Sequence, residues 1–369
     1  MISFARGVPA PECLPVDELA DCARAALERD GTSILLYGPG GGYAPLREWI
    51  AERHGVAPAR VVITNGSLQG FVFLTEHLVE PRTRVLVEAP TYDRPLKILA
   101  RLGADVVALP MDDDGLDPVA LERAVGEREP PAFLYTIATF QNPSGRTMSE
   151  ERRRRVVEIA RERNLLVLED DPYGLVRYEG DAPPTLFELD RDGGGAERVA
   201  YASSFSKTIA PGVRVGYFVL PAELAAHIEA HAVSTYISPP FLTQAAVFEF
   251  LRRGNFEPNL ERVNGLLGAR RDAMLEALAS HMPADASWTQ PEGGYFVWLD
   301  LPSGPDAAEL LPAAEAAGVT FVKGTDFFPA GRGGERSLRL AFSFVSPAEI
   351  ADGIGLLAGL LAPAATTAP

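Results

Sequence analysis

Four short polar clusters contain the residue types that could do chemistry, and each follows a short apolar segment. The most informative is Ser203–Lys207, because a lysine at the end of an apolar strand loses hydration, acquires a lowered pKa and can form Schiff bases. The hydroxyls of Ser204 and Ser206 could hold a phosphate together with Arg214. Considered alone, Lys207 would more often be an ordinary solvated lysine, so the other clusters matter.

Asp170 and Asn142, like Lys207, each follow an apolar run that is predicted to form a strand. Asp170 follows the apolar run Leu165–Glu169, and a carboxylate at a buried strand end is costly unless a cation such as a protonated ring nitrogen faces it. Asn142 follows the run Phe133–Ile137 and could donate an amide hydrogen bond into a site. The dipeptides around Asn142 are also common in ordinary turns.

Two glycine-containing segments differ in what they predict. Thr64–Gln69 passes from a strand through small residues into a helix, and the free N–H groups of such a turn suit a phosphate, although many turns look alike. Gly38–Tyr43 does not fit a nucleotide-binding loop, because Tyr43 stands where the dinucleotide spacing needs glycine. The histidines show no metal-ligand spacing, so no metal site is expected.

The elements around these clusters predict an α/β fold. Apolar, β-branched runs alternate with amphipathic stretches up to about residue 240, which indicates a mainly parallel sheet of seven strands with helices on both faces. Ligands bind at the carboxyl ends of strands in such sheets, so the four clusters should meet at one edge. The predicted strands are Val61–Thr64, Arg84–Glu88, Asp105–Leu109, Phe133–Ile137, Leu165–Glu169, Arg198–Ala202 and Val213–Leu220, and predicted helices between them include Leu116–Glu127 and Ser149–Asn164.

The pattern changes after Pro239-Pro240, where a smaller α+β domain is predicted. We expect an N-terminal arm (residues 1–30) that joins the small domain, a large cofactor-binding domain (31–250) and a small C-terminal domain (251–369). The predicted elements are a long helix over Leu242–Ala279, strands Tyr295–Leu301, Val319–Lys323 and Ser337–Phe344, helix Ala307–Ala317 and a last helix from Pro347.

Composition excludes several classes of protein. The 369 residues include 50 acidic and 34 basic side chains, and a net charge of −16 argues against nucleic acid as a partner. Two cysteines, Cys13 and Cys22, exclude a disulfide scaffold and fit a reducing cytoplasm. No signal peptide is visible, and no stretch supplies the ~20 apolar residues of a membrane-spanning helix, so a cytoplasmic protein without a membrane partner is expected.

Together the clusters resemble the pyridoxal-phosphate (PLP) aminotransferases of fold type I, class I/II. The resemblance is greatest to the subgroup of 2-aminoadipate and kynurenine aminotransferases. It extends from Phe4–Pro9, through Tyr37 and the Gly42–Arg47 segment, to Ser337–Ser343. No single motif is specific, but the combination is.

The resemblance implies roles for individual residues around the PLP ring. Lys207 would carry the cofactor covalently and then move a proton on the substrate. Asp170 would pair with the pyridine nitrogen and keep it protonated. Tyr173 and Asn142 would hydrogen-bond the phenolic oxygen, and Tyr92 would stack on the ring face.

The resemblance also implies phosphate and substrate contacts. Arg339 would bind the substrate α-carboxylate in the fork of its guanidinium, and Asn142 and Gly7 would also contact substrate. Tyr37 would reach the phosphate in the neighbouring subunit, which implies a homodimer with shared active sites. The residues expected around the phosphate are Gly66, Ser67, Leu68, Ser204, Ser206 and Arg214.

Two departures from the subgroup pattern affect these expectations. Leu68 replaces the first glutamine of a Gly-Ser-Gln-Gln turn, which removes one side-chain donor to the phosphate and predicts weaker cofactor retention, or a phosphate held more by Ser204 and Arg214. The sequence begins almost at Gly7, without the additional N-terminal helix of the relatives, so 2-aminoadipate specificity is not expected to carry over unchanged.

Three functional hypotheses remain from the sequence. The leading one is an aminotransferase that moves the amino group of an L-amino acid to a 2-oxo acid, 2-oxoglutarate, by a ping-pong mechanism through Lys207. A second keeps the cofactor but performs β- or γ-substitution, decarboxylation or cyclisation in a specialised biosynthetic pathway. A third, a MocR-type transcription regulator, needs a basic DNA-binding domain that this acidic sequence does not show. Arg6, Arg94 and Arg146 are equally placed in the sequence to bind a distal substrate carboxylate.

Overall fold

A large sheet forms the centre of the molecule in the computed structural model, which describes residues 1–126, 129–195 and 197–361. The strands of the protein are β1 (Ile2–Ser3), β2 (Val61–Thr64), β3 (Arg84–Ala89), β4 (Asp105–Asp112), β5 (Gly115–Leu116), β6 (Phe133–Thr136), β7 (Leu166–Asp170), β8 (Val199–Ser204), β9 (Gly216–Val219), β10 (Ser287–Trp288), β11 (Phe296–Asp300), β12 (Val319–Thr320), β13 (Val322–Lys323) and β14 (Ser337–Ala341).

Helices connect most of these strands. They are α1 (Val16–Asp30), α2 (Ala44–His54), α3 (Ser67–Leu78), α4 (Asp93–Leu102), α5 (Pro118–Val125), α6 (Glu150–Glu162), α7 (Leu186–Asp192), α8 (Ala222–Tyr236), α9 (Phe241–Arg252), α10 (Phe256–His281), α11 (Ala307–Ala317) and α12 (Pro347–Leu361). Among the described residues, no helix combines the length and apolar character needed to cross a membrane.

The large sheet has the order β2-β9-β8-β7-β6-β3-β4-β5. β9 runs antiparallel to both of its neighbours, and the pairs among β3, β4, β6, β7 and β8 are parallel. The predicted, mainly parallel α/β sheet is therefore confirmed. Its seven predicted strands are joined by an eighth, the two-residue β5, which folds back antiparallel on β4.

The two faces of the sheet bury alternate side chains of the same strands. Leu86 and Leu134 pack in a cluster with α1, α2, α6 and α9, whereas Val85 and Phe133 pack in a second cluster with α3, α4 and α8. Because successive side chains of a strand point to opposite faces, an uninterrupted apolar strand needs helices on both sides. This explains the continuous apolar runs of the sequence.

Several predicted elements are corrected by the structure. The strand predicted from Val213 begins only at Gly216, because Pro211–Val213 form a short 3-10 turn and Arg214 has a left-handed φ of 53°. The helix predicted over Leu242–Ala279 is two helices, α9 and α10, and Gly254 between them has a φ of 72°.

The helix predicted over Leu116–Glu127 is also shorter. Leu116 belongs to β5, and the side chain of Asp117 accepts a hydrogen bond from the Val119 N–H, so α5 begins at Pro118. Glu127 lies outside the described residues. The predicted helix over Ser149–Asn164 is confirmed as α6 within two residues at each end.

A second sheet, β10-β11-β14-β13, packs against α10, α11 and α12. The predicted strand Val319–Lys323 is interrupted at Phe321, so β12 pairs with β1 while β13 pairs with β14. Phe4 is fully buried in the same apolar cluster, which joins the N-terminal residues to this sheet. The domain boundaries proposed from the sequence stay a prediction.

Candidate active site

A cavity of about 380 Å³ opens at the carboxyl ends of the central strands. Parallel strands end at the same edge of a sheet, so the polar segments that follow β3, β6, β7 and β8 converge there. The predicted site residues on its wall are Gly7, Ser67, Leu68, Tyr92, Asn142, Asp170, Tyr173, Ser204, Lys207 and Arg339. Gly66, Ser206 and Arg214 lie beside this wall, and Tyr37 is 79% exposed and lies elsewhere.

Lys207 follows β8 and places its ammonium group inside the cavity. Its Nζ donates a hydrogen bond to the Gly7 carbonyl oxygen at 2.9 Å and lies 5.2 Å from the centre of the Tyr295 ring. Burial, followed by the positive charges of Arg339 and Arg214, lowers the pKa of Lys207 from 10.5 to about 8. The lysine is therefore much more often neutral, and nucleophilic, than an exposed lysine at neutral pH.

Asp170 is the last residue of β7 and faces the same cavity. The Tyr135 hydroxyl donates to its Oδ2 at 2.7 Å, whereas the buried Oδ1 has no hydrogen-bond partner among the described residues. Burial raises the pKa of Asp170 to about 6 although the Tyr135 hydrogen bond opposes that rise. The next residue, Asp171, bonds to Tyr201 and Gly174 instead, so Asp170 is the carboxylate available to a ligand.

The free Oδ1 of Asp170 fits a protonated ring nitrogen. A buried acceptor without a donor costs free energy, and a pyridinium N–H would both satisfy it and favour the charged carboxylate. Tyr92 and Ala202 line the same cavity as Asp170. Burial raises the pKa of Tyr92 to about 12, so its phenol stays neutral and can stack on a ring.

A cradle for a phosphate lies at the N-terminus of α3. Arg214 Nη2 donates to the Asn65 carbonyl oxygen at 2.8 Å and lies against Gly66, whose φ is 80°. A Cβ at Gly66 would come within 2.5 Å of Arg214 Nη2, so any other residue would displace this cation as well as strain the backbone. Ser204 Oγ, which donates to Ser206 Oγ at 2.8 Å, adds hydroxyls beside a helix N-terminus that already favours an anion.

Arg339 is a buried cation on the wall of the same cavity. Its Nη1 donates to Asn142 Oδ1 and its Nη2 to the Ala5 carbonyl oxygen, each at 3.0 Å. The guanidinium carbon lies 4.4 Å from the centre of the Phe296 ring. Its buried Nε has no partner within the described part of the chain, so a carboxylate can accept a hydrogen bond there.

Gln141 connects the two loops that carry Tyr92 and Asn142. Its Nε2 donates to the buried Glu88 carboxylate at 3.1 Å and to the Pro90 carbonyl oxygen at 2.7 Å. Its Oε1 accepts a hydrogen bond from the Ser144 N–H at 2.9 Å. One buried side chain thus fixes the relative position of the loops after β3 and β6.

Several contributors to the site were not found from the sequence. One is Tyr135, whose hydroxyl donates a hydrogen bond to Asp170. The sequence pattern that could have indicated it is a hydroxyl-bearing side chain within the apolar run Phe133–Ile137. Two further contacts of Arg339 could not be predicted from the sequence. The Phe296 ring, which packs against the guanidinium, belongs to a different sheet. Ala5 accepts a hydrogen bond through its backbone carbonyl oxygen, which no residue type reveals.

This fold and this site define a class of protein that comparison with known proteins identifies. Residues 12–355 match the family described as aminotransferase class I and II, and the chain belongs to that family. It is a PLP-dependent transaminase of fold type I, and its cofactor is pyridoxal 5′-phosphate. The residues described above fit that cofactor at its ring nitrogen and at its phosphate.

Individual relatives narrow the class. The chain is 38% identical to the 2-aminoadipate transaminase of Thermus thermophilus, over 98% of this chain and 91% of the relative. It is 36% identical to aromatic-amino-acid aminotransferase 1 of Thermococcus litoralis, over 97% of this chain and 87% of the relative. The crystal structure of the Thermus thermophilus α-aminoadipate aminotransferase, with N-(5′-phosphopyridoxyl)-L-leucine bound, superposes with a TM-score of 0.93 at 38% identity, covering 98% and 92% of the two chains. Within the family, the protein therefore falls in the 2-aminoadipate and kynurenine aminotransferase subgroup.

Proposed function

We propose that this aminotransferase moves the amino group of an L-amino acid to 2-oxoglutarate by a ping-pong mechanism through Lys207. The observation that carries the proposal is the meeting of Lys207, Asp170 and Arg339 on the wall of one cavity. The similar proteins support it, because they are named as transaminases of 2-aminoadipate and of aromatic amino acids. When bound, pyridoxal 5′-phosphate supplies the electron sink and the temporary carrier of the amino group.

Arg339 would bind and orient the substrate. Its planar guanidinium is held by Asn142 and Ala5, and so it is preorganised for the two oxygens of an α-carboxylate. Since every L-amino acid carries an α-carboxylate, Arg339 would bind both the amino acid that donates the amino group and the amino acid that is formed from the acceptor. Selection among side chains then falls to other residues of the cavity.

Lys207 would move the proton. With a pKa near 8, a substantial fraction of its Nζ is neutral near pH 7.5, and a neutral amine can accept the proton from the substrate Cα and later release it. Tyr173 and Phe296 line the cavity and the Tyr295 ring lies 5.2 Å from Lys207 Nζ, so aromatic rings would limit the access of bulk water to this proton. Asp170 would remain charged, because its pKa of about 6 lies below working pH.

The proposal includes a homodimer with shared active sites. Tyr37 is 79% exposed, and its neighbours Leu35 and Leu36 are 64% and 63% exposed. The segment rests on the end of α8, where Gly38 N–H donates to Ser238 Oγ at 3.3 Å and Val233 and Ile237 are also exposed. An apolar surface of this kind suits a protein interface, from which Tyr37 would reach the phosphate of the partner subunit.

A cytoplasmic location also remains part of the proposal. Cys13 and Cys22 are both buried and free, and burial raises the pKa of each thiol. Buried neutral thiols of this kind suit a reducing compartment.

Initial-rate kinetics test the proposed function. Glutamate formation should require both an amino acid and 2-oxoglutarate, and reciprocal plots at several fixed acceptor concentrations should be parallel. Intersecting plots would contradict the ping-pong order. Turnover of the amino acid without any acceptor would instead support elimination, substitution or decarboxylation.

A further inference from the structure

The sequence offers three arginines, Arg6, Arg94 and Arg146, as partners for a distal substrate carboxylate, and the structure shows that they differ in their contacts and in the cavity that they line. Arg146 donates from Nε and Nη2 to Asp113 Oδ1, at 3.1 and 3.0 Å, and lines a separate cavity beside Trp288. The guanidinium carbon of Arg6 lies 5.1 Å from the centre of the Phe344 ring, and Arg6 is not on the wall of the cofactor cavity. Arg94 does lie on that wall.

The surroundings of Arg94 leave its guanidinium available. Its side chain is 59% exposed, and its Nε lies 3.8 Å from Asp93 Oδ2. Asp93 Oδ2 already accepts a hydrogen bond from Lys97 Nζ at 2.6 Å. Within residues 1–126, 129–195 and 197–361, this long contact with Asp93 is the one ion pair of Arg94, and its guanidinium makes no hydrogen bond. Arg94 is therefore a cation at the substrate site with free donors.

Arg94 is also close to the group that would stack on the cofactor ring. It is the second residue of α4, directly after Tyr92 and Asp93. Burial raises the pKa of Tyr92, and the charges of Arg94 and Arg339 both oppose that rise, so both guanidinium groups lie near this phenol. The first turn of α4 contributes the positive end of its dipole to the same part of the cavity.

We propose that Arg94 binds the distal carboxylate of dicarboxylic substrates, glutamate and 2-oxoglutarate, while Arg339 binds their α-carboxylate. This inference rests on the proposed aminotransferase function and adds to it the residue that selects acidic side chains. Because Arg94 is exposed and has a long flexible stem, it can remain in solvent when the substrate side chain is uncharged. One site can thus accept an uncharged donor in the first half-reaction and an acidic acceptor in the second.

Substitution of Arg94 separates this role from a general effect on the site. In the cofactor-loaded enzyme, Arg94→Met should lower kcat/KM for glutamate and for 2-oxoglutarate by roughly 10- to 100-fold, the range of a hydrogen bond to a charged group. The kcat/KM for leucine should be unchanged, and Arg94→Lys should recover part of the loss. Arg101→Met, at an exposed arginine in the last turn of the same helix, is the matched control and should change none of these values.

A binding measurement without turnover completes the test. Glutarate, a dicarboxylate without an amino group, should bind the wild-type enzyme more tightly than butyrate, and Arg94→Met should remove that difference. Equal losses for leucine and glutamate, or glutarate binding that is the same in both proteins, would overturn the assignment. A wild-type enzyme that uses only monocarboxylic acceptors would overturn both this assignment and 2-oxoglutarate as the proposed acceptor, while transamination itself would stand. If no donor yields a 2-oxo acid, the proposed function itself fails.

Discussion

Asn142 Oδ1 accepts a hydrogen bond from Arg339 Nη1 at 3.0 Å, and this contact joins the loop after β6 to the second sheet. Because the amide oxygen of Asn142 is used by the arginine, its Nδ2 is left to donate towards the cavity. A residue expected to touch the phenolic oxygen of the cofactor therefore also positions the group expected to bind the substrate. The two binding functions are coupled through one side chain.

Removal of the Arg339 guanidinium should weaken the binding of every α-amino acid. We expect Arg339→Ala to raise KM by roughly 10- to 100-fold for acidic and uncharged donors alike, because a hydrogen-bonded charge pair is lost. Steady-state kinetics with a panel of donors measure this. Arg332→Ala, at an exposed arginine, serves as control. An unchanged KM across the panel would exclude the carboxylate role.

The lowered pKa of Lys207 should be visible in how the cofactor-free protein captures pyridoxal 5′-phosphate. Only a neutral amine reacts, so the rate of covalent capture should rise about tenfold per pH unit below pH 8 and level off above it. Borohydride reduction at timed intervals, followed by mass spectrometry, measures the captured fraction. A rate that continues to rise towards pH 10.5 would show that Lys207 titrates as an ordinary lysine.

Restoring a glutamine at position 68 should slow cofactor loss. Leu68 lines the cavity but offers no side-chain donor. Gln69 is not on the cavity wall, and its Oε1 accepts from the Asn65 N–H at 2.8 Å. We expect Leu68→Gln to reduce the dissociation rate of the amino form of the cofactor by about fivefold, which corresponds to one net hydrogen bond of about 1 kcal/mol.

Dialysis of the donor-treated enzyme, with the retained cofactor measured by absorbance, gives that rate. Leu68→Met controls for a change in packing alone. Equal retention by all three proteins would mean that Ser204 and Arg214 already hold the phosphate as firmly as a glutamine could.

The buried Glu88 should make the stability of the protein depend on pH. Burial raises the pKa of Glu88 from 4.5 to about 7, so the folded protein binds this proton more tightly than the unfolded chain. Its contribution to stability is therefore fully present below pH 4.5 and is lost as the pH rises through about 7. Glu88→Gln should remove this dependence, which is worth at most about 3 kcal/mol.

Urea unfolding of the cofactor-free wild type and of Glu88→Gln at pH 5 and pH 8 tests this. A glutamine can still accept from Ile137 N–H and Gln141, as Glu88 Oε2 does at 3.1 Å in each case, so the variant should fold. The stability of the variant relative to wild type should increase from pH 5 to pH 8. The exposed Glu52→Gln should show no such change, and a constant difference for Glu88→Gln would contradict the assignment.

Much of the fold could be predicted from the sequence because buried parallel strands leave a clear pattern. Runs such as Val61–Thr64 and Phe133–Ile137 are apolar on both faces, and the structure forms strands there. Boundaries that depend on backbone conformation were less visible. The left-handed φ of Arg214 makes β9 begin later than predicted, and the positive φ of Gly254 separates α9 from α10. The backbone conformation of a single residue thus decides where an element begins or ends.

The candidate site also has residues that could be predicted from the sequence and residues that could not. The sequence could predict that Lys207, Asp170 and Asn142 lie together, because each comes at the end of a strand and these ends must lie at one edge of the sheet. The selection of Arg94 over Arg6 and Arg146 needed coordinates, since it depends on which other side chains each arginine contacts. Sequence spacing contains no information about such partners when they come from distant segments.

A single turnover with donor alone tests the central claim most directly. Cofactor-loaded enzyme mixed with an L-amino acid, without any acceptor, should release one equivalent of the corresponding 2-oxo acid per site and then stop. The amino group should remain on the enzyme until 2-oxoglutarate is added, and Lys207→Ala should release no oxo acid although it stays folded. Release of ammonia, carbon dioxide or a substituted product, or full single turnover by Lys207→Ala, would contradict transamination through Lys207.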